Sequence, residues 1–364
     1  MKKIIRYIGS KEKLLPFLNT IIFEPYKKKN INFLDAFAGT TVVSKFIQDN
    51  YFYNQYLSDF SDYTEILASR LFLTLCSENI TEHILYIFNI SHGKVKINSG
   101  IIHQEFSIGG IPKNIHPDSF INQTSSSRMF FTSDVGAKID TMRSYISTQY
   151  NNKNINHYDK NLLLMLTLAF ADKNANTTSV YGAYLKNQNR ATIALSDTLL
   201  NTINADLLSN NKAPSGFFKG DIMTTLNHIP EMDVIYYDPP YNTRKYESNY
   251  HILNYLSDLD FNEGMIQENS KTGLPKNKIK NMFGSKKDTR IVFRDMILKG
   301  IDKSNNIFIS YSSEGEMTEK EIQDLCEEQN LLLNTHYLDY KKYKSKKVEQ
   351  EKNLKEIIYH IKRK

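Results

Sequence analysis

Asp233-Val234-Ile235-Tyr236-Tyr237-Asp238 is a short apolar run between two acids, and Pro239, Pro240 and Tyr241 stop it abruptly. A run of this length, β-branched and aromatic, with prolines behind it, has the pattern of a buried strand. Its end then lies at the carboxyl edge of a sheet, where α/β folds place their ligands. Two consecutive prolines remove two backbone donors and stiffen the turn. Their carbonyls are left as acceptors on a rigid ledge, flanked by the acid Asp238 and the flat ring of Tyr241. A ledge of this kind can accept both hydrogens of a planar amino group while the ring stacks on the group's π-face. The bland alternative is a stiff loop after a strand.

The rest of the chain fits an α/β fold that is interrupted once. Asn32–Phe37 and Gln55–Asp59 have strand patterns, with a helix expected from Val42 to Gln48 and another after Asp59. After Gly216 the rhythm resumes: strands at 233–238 and 306–312, a helix over 319–329, and a closing antiparallel pair at 333–343 and 356–361. Between the two stretches lie about 130 residues of other character. They include a Gly/Ser/Pro-rich passage from His92 to Ser127, helices over 133–150 and 160–173, and a polar linker from Asn201 to Pro214. We expect residues 1–80 and 211–364 to form one α/β domain and 81–210 an inserted, mostly helical one.

Composition removes several classes. Hydrophobic residues make up 40% and charged residues 24% of 364, so the chain can bury a core and is neither disordered nor fibrous. Cys76 and Cys326 are its two cysteines, too few for a disulfide framework and in keeping with a reducing compartment. Leu162–Ala171, the longest strongly apolar stretch, is too short to span a bilayer, and Met1–Tyr7 contains no signal-peptide core. A cytoplasmic location is therefore expected, with no membrane partner. The scattered histidines lack metal-ligand spacing, so no metal is expected. Net charge is +6, concentrated in Lys271–Arg290 (net +6) and Lys341–Lys364 (net +7), on a remainder that is acidic. Clusters of this kind suit phosphate contacts, although a charge run is more often a solvated face.

Three further turns carry candidate residues. Asp35-Ala36-Phe37-Ala38-Gly39-Thr40-Thr41 places a glycine between a strand and a helix, where backbone can approach a ligand closely. An ordinary βα turn has the same appearance. Asp59 ends the next strand about twenty residues on, the place where nucleotide-binding folds put the acid that holds ribose hydroxyls, or simply a helix cap. Gly220-Asp221 could cap a helix or bind an adenine amino group. His251 has a core or helix-surface role on its own pattern.

Taken in chain order, the glycine turn, the ribose-type acid and the Asp-Pro-Pro-Tyr ledge resemble the DNA N6-adenine methyltransferases of the Dam-like group, with a target-recognition module inserted before the catalytic motif. Arg6-Tyr7-Ile8-Gly9-Ser10-Lys11 is similar to that family's N-terminal cofactor motif. Asn249-Tyr250-His251-Ile252-Leu253 and Ser310–Gly315 are similar to later segments of the family. Arg128-Met129-Phe130-Phe131-Thr132, Ala137–Asp140 with Arg143, and Asn176–Lys186 resemble a branch of modification methylases from restriction systems. One position departs: Thr41 stands where the family's FxGxG pattern has its second glycine. A β-branched residue does not easily take a positive φ, so either the backbone there is ordinary or the loop sits differently.

The resemblance implies a Rossmann-like methyltransferase sheet, S-adenosylmethionine as cofactor and methyl transfer to N6 of an adenine flipped out of a short site in double-stranded DNA. It implies that Asp238, Pro239, Pro240 and Tyr241 are catalytic. Tyr7, Lys11, Asp35, Phe37, Gly39, Asp59, Asp221, Ile222 and Asp238 would bind the cofactor. DNA contacts are expected at Arg128, Asn176, Tyr181, Lys186 and Lys286, although Asn176–Lys186 could equally be a helix end packed on the module's core. A cognate restriction endonuclease would be a separate chain, and a monomer is expected. The ledge alone would also suit cytosine N4, an RNA adenine or a glutamine side chain. A non-catalytic DNA-binding protein keeping this fold is a further alternative, and a nicotinamide oxidoreductase is disfavoured by the missing GxGxxG.

Overall fold

A computed structural model of the chain describes residues 4–113, 115, 127–187, 191–209, 211–241, 246–277, 282–283, 285–340 and 354–364. The chain divides into two compact units. One, here called the sheet unit, comprises Ser10–Phe60, Pro214–Lys245 and Lys280–Lys364; the other, the helical unit, comprises Met1–Gly9, Ser61–Ala213 and Tyr246–Ile279.

Seven strands build the sheet unit: β1 (Asn32–Ala36), β2 (Asn54–Asp59), β3 (Gly216–Lys219), β4 (Val234–Tyr237), β5 (Ile307–Ser312), β6 (Leu331–Tyr340) and β7 (Leu354–Arg363). Their order across the sheet is β3-β2-β1-β4-β5-β7-β6. The first five run parallel, and β7 is antiparallel to both β5 and β6. The chain leaves β1 toward β2 and later returns to β1's other side as β4, so a switch in strand order falls between β1 and β4.

The apolar run in β4 is explained by the packing. Ile235 and Tyr237 join a core with Leu34, Ala36, Ile307 and Ile309, covered by helices Ile222–His228, Lys286–Lys303 and Glu319–Glu328. Val234 and Tyr236 join the opposite core with Phe33, Phe308, Leu18 and Ile47. Successive side chains point to opposite faces and both faces are covered, so alternation disappears. The register pairs Ala36 with Tyr237, and Tyr237 with Ile309. The turns after β1 and β4 therefore open on the same edge, with Ser310 of β5 beside Asp238. Asn32–Ala36 and Ile307–Ser312 lie within a residue of their expected strands. The end of the expected strand at 333–343 lies outside the described residues.

The helical unit has its own core. The expected helices at 133–150 and 160–173 appear as Ser133–Asn151 and His157–Asn174. The second is buried on every side from Asn161 to Asp172, which accounts for its unbroken apolar sequence. A capping box starts it: Asn156 and Asp159 each accept the other's backbone N–H, at 3.0 and 2.8 Å. Among the described residues no helix is long and apolar enough to cross a membrane.

The units divide differently from the expected boundaries at 80 and 211. Helices Asp62–Ala68 and Tyr246–Ser257 both belong to the helical unit. Their apolar residues, Tyr63, Ile66 and Leu67 on one and Tyr250, Ile252, Leu253 and Leu256 on the other, share a core with Ile84, Phe106 and Leu166. Burying those faces outweighs chain proximity to the strands.

Candidate active site

The ledge stands where its strand places it. Asp238 follows β4, and the ammonium of Lys11 lies 2.8 Å from its Oδ1. Lys11 begins the first turn of the sheet unit and is only 4% exposed, so its charge needs a local partner. Its Nζ also donates to the Tyr241 hydroxyl and lies 4.6 Å from the centre of that ring. The Tyr241 hydroxyl has three acceptors in reach: Asp238 Oδ1 at 3.2 Å, Ser310 Oγ at 3.3 Å and Glu356 Oε2 at 3.3 Å. Tyr311 meets the Tyr241 ring nearly edge-on, with centroids 5.2 Å apart. Gly315 makes room for Tyr311, since a Cβ there would fall 2.1 Å from its Cε1. The Tyr241 carbonyl accepts from the N–H of Glu316 at 3.0 Å. Among the described residues, no hydrogen bond reaches the Pro239 or Pro240 carbonyl, so the acceptors expected there are in place.

The turn after β1 is tightly wound. Phe37, Gly39 and Thr41 have φ of 84°, 50° and 55°. The N–H groups of Phe37 and Ala38 both donate to the Ser58 carbonyl at 2.9 Å, and Gly39 N–H donates to Asp59 Oδ2 at 2.9 Å. Asp59 thus braces the glycine turn, and a carboxylate can accept further donors besides. Thr41 precedes helix Val42–Asn50, is fully buried, and takes the left-handed conformation that its β-branched side chain disfavours. The ordinary backbone entertained for it is corrected: the loop keeps the glycine-like φ, at a cost of about 1–2 kcal/mol. Asp35 Oδ2 accepts from Ser44 Oγ at 2.6 Å. Asp221 caps helix Ile222–His228, accepting from Thr224 N at 3.0 Å and Oγ1 at 2.6 Å, and Ile222 is a core residue. Tyr7 belongs to the helical unit, where it stacks on Tyr250 with centroids 4.9 Å apart.

One buried carboxyl, Asp35, two half-buried ones, Asp238 and Glu356, and the buried ammonium of Lys11 make an electronegative site. Burial pushes Asp35 up to about 7, with the Ser44 hydrogen bond opposing and the charges of Asp238 and Asp59 adding. Burial likewise pushes Glu356 up to about 7, with Lys11 opposing and Asp238 adding. Asp238 is raised by burial against the pull of Lys11. Three such groups titrate as a coupled set. Asp35 and Glu356 bind protons more tightly folded than unfolded, where carboxyls ionise near 4. The stability they contribute is full below about pH 4 and is lost as the pH rises through about 7. Asp35→Asn is therefore expected to flatten that decline in urea unfolding of the ligand-free protein. A decline between pH 4 and 8 as steep as the wild type's would count against it.

The expected DNA contacts divide. Arg128 is fully buried: Nη1 meets Glu105 Oε2 at 2.7 Å, while Nε and Nη2 donate to the Ser270 carbonyl at 3.1 and 3.0 Å. Asn176 is 2% exposed and donates to the Met129 and Leu185 carbonyls at 3.0 and 2.8 Å. Tyr181 is fully buried, with its hydroxyl 3.3 Å from Asp172 Oδ1. Side chains enclosed and bonded in this way have nothing to offer a phosphate or base edge, so these three are corrected to core residues. Lys186 is exposed, and Lys286 is 59% exposed while pairing with Glu321 at 3.2 Å. Much of the run Lys341–Lys364 lies outside the described residues. His251 is buried between the Ser248 and Thr272 carbonyls, and burial pulls it down to about 4. Among the described residues no cluster could hold a metal ion.

Glu356 was missed by the sequence reading. Its signal was an acid on the strand face of buried Ile358, two positions on, hidden in a basic run.

Residues 7–325 match the family described as D12 class N6 adenine-specific DNA methyltransferase. The chain is 30% identical to type II methyltransferase M.FokI of Planomicrobium okeanokoites over 98% of its own length and 52% of that protein's. It is 27% identical to modification methylase StsI of Streptococcus sanguinis, over 99% of this chain and 52% of that one. With type II methyltransferase M.NlaIII of Neisseria lactamica it shares 28% identity over 98% of each chain. The chain thus spans about half the length of the first two and nearly all of the third. A mostly parallel sheet with a left-handed glycine turn after β1, an Asp-Pro-Pro-Tyr ledge after β4 and this match over most of its length place the chain in the D12 class of N6 adenine-specific DNA methyltransferases.

Proposed function

We propose that the chain methylates N6 of an adenine flipped out of a short duplex DNA site, as the modification half of a restriction–modification pair whose nuclease is a separate chain. The observation that carries this reading is Asp238 held against Lys11 beside the ring of Tyr241 and two proline carbonyls that accept no hydrogen bond among the described residues. S-adenosylmethionine, when bound, supplies a methyl group already activated on a sulfonium. Asp35, Phe37, Gly39, Asp59, Asp221 and Ile222, with Lys11 and Asp238, are the residues that would hold it. Their chemistry suits a cationic ligand, because the carboxyls of Asp35, Asp59, Asp238 and Glu356 outnumber the one ammonium, that of Lys11.

The amino nitrogen of adenine is a poor nucleophile because its lone pair is delocalised into the ring. Asp238 and the Pro239 carbonyl accept its two hydrogens, which favours a pyramidal nitrogen with a directed lone pair. Positive charge would grow on that nitrogen as its bond to the methyl group forms and the methyl–sulfur bond breaks; a fixed anion and carbonyl dipole would stabilise it without reorganising, and one amino proton would then leave to solvent. Lys11 favours the ionised form of Asp238 against the burial that opposes it. Tyr241 stacks on the extruded base and offsets part of the few kcal/mol that unstacking costs. The remaining contribution is alignment. Each strand needs one methyl, so one chain acting on one strand at a time is sufficient. The exposed Lys186 and Lys286 are the phosphate contacts retained.

The test is expression in a methylation-free host, followed by single-molecule sequencing that detects modified bases. N6-methyladenine at one short motif is expected. Modified cytosine instead, or no modified base while the purified chain binds S-adenosylmethionine, would overturn the reading.

A further inference from the structure

We propose that Glu356 is a positioning residue for Tyr241, taking over the tyrosine's hydroxyl hydrogen when Asp238 is occupied by the target amino group. This rests on the methyl-transfer reading. A phenol has one hydrogen to donate, and three acceptors surround this one. Asp238 Oδ1 already faces the ammonium of Lys11 at 2.8 Å as well as the Tyr241 hydroxyl at 3.2 Å. Both donors share that one oxygen, and an incoming amino group brings a third donor to the same carboxylate, in competition with the phenol. Glu356 Oε2, at 3.3 Å from the hydroxyl, is the second carboxyl acceptor.

Its place is set by the strand pairing. Glu356 lies opposite Ser312 on β5, and Ile358 opposite Ser310, so the acid arrives from β7 beside the ledge that follows β4. The Tyr241 ring is then held from four elements: Lys11 on the first turn, Asp238 after its own strand, Ser310 on β5 and Glu356 on β7. The charged and titratable groups facing Glu356 are Lys11, Asp238, Tyr241 and Tyr236. A stacking ring fixed at its hydroxyl presents a defined face to the base, which is the requirement for in-line transfer.

The experiment compares Glu356→Ala, Glu356→Gln, Tyr241→Phe and the double variant Glu356→Ala/Tyr241→Phe in steady-state methylation of duplex DNA. A duplex carrying 2-aminopurine at the target base reports stacking by its fluorescence. Glu356→Ala is expected to lower kcat about tenfold with KM for DNA within about twofold, and to brighten 2-aminopurine in the complex. Glutamine retains an acceptor oxygen and should recover most of the loss. Where Tyr241→Phe has already removed the hydroxyl, Glu356→Ala should add less than about twofold. Full additivity in the double variant, or a Glu356→Ala protein with wild-type kcat and fluorescence, overturns the proposal. Unfolding curves of each variant exclude loss of fold. A wild-type chain that transfers no methyl to DNA overturns the function itself, an outcome separate from additivity.

Discussion

Replacing Asp238 by asparagine is expected to lower the methyl-transfer rate by on the order of a thousandfold while DNA binding changes little. Asparagine keeps the size of the side chain and one acceptor oxygen, so the ledge can still receive the base. What disappears is the fixed negative charge against which positive charge develops on N6, and removing one such group typically costs about 10²–10³ in rate. The alanine variant has a second consequence. It leaves Lys11, only 4% exposed, without the carboxylate 2.8 Å away, and a buried charge stripped of its partner costs about 3–5 kcal/mol. Glu356 is near enough to absorb part of that cost. Asparagine is therefore the informative change for chemistry and alanine for stability. Single-turnover rates with labelled methyl donor, beside DNA affinity by fluorescence anisotropy, separate the two. An asparagine variant within tenfold of wild type would remove Asp238 from the chemistry.

The ledge was legible in the sequence because its signal is local: four residues of buried strand between two acids, then two prolines that cannot continue it. The β1 turn was legible for the same reason. The left-handed Thr41 was not, because its conformation is imposed by the turn between β1 and helix Val42–Asn50 against the residue's own preference. Domain membership failed where it depended on a shared core. Nothing local tells Tyr250, Leu253 and Leu256 that they pack with Leu166, more than eighty positions earlier, and not beside the strand that precedes them. The expectations for Arg128, Asn176 and Tyr181 failed by the same physics. An arginine in a motif suggests a surface, until a partner such as Glu105, 23 positions away, lets it be buried. Glu356 stayed hidden because charge counting averaged it into its basic neighbours, whereas the strand pairing turns it inward.

Arg128→Met is expected to be among the most destabilising single changes in the helical unit, by about 3–5 kcal/mol, without altering how DNA binding responds to salt. Both members of the Arg128–Glu105 pair are fully enclosed, at 2.7 Å. Methionine matches much of the arginine stem and preserves packing, so the loss is electrostatic. Glu105 keeps the Lys113 N–H at 3.0 Å but loses its counter-charge, and the Ser270 carbonyl loses both guanidinium donors. The double variant Arg128→Met/Glu105→Leu removes both buried charges together and should regain a large part of the stability, since a buried pair replaced by apolar groups of similar volume is often neutral. Urea unfolding followed by circular dichroism measures both. The salt experiment decides between core and interface. A lysine or arginine that neutralises a phosphate lowers the slope of log affinity against log salt by about one when it is removed. For Arg128→Met, measured well below its unfolding midpoint, the slope should stay at the wild-type value, whereas Lys186→Ala should reduce it. An Arg128→Met protein of wild-type stability with a shallower slope would return Arg128 to the DNA-binding face.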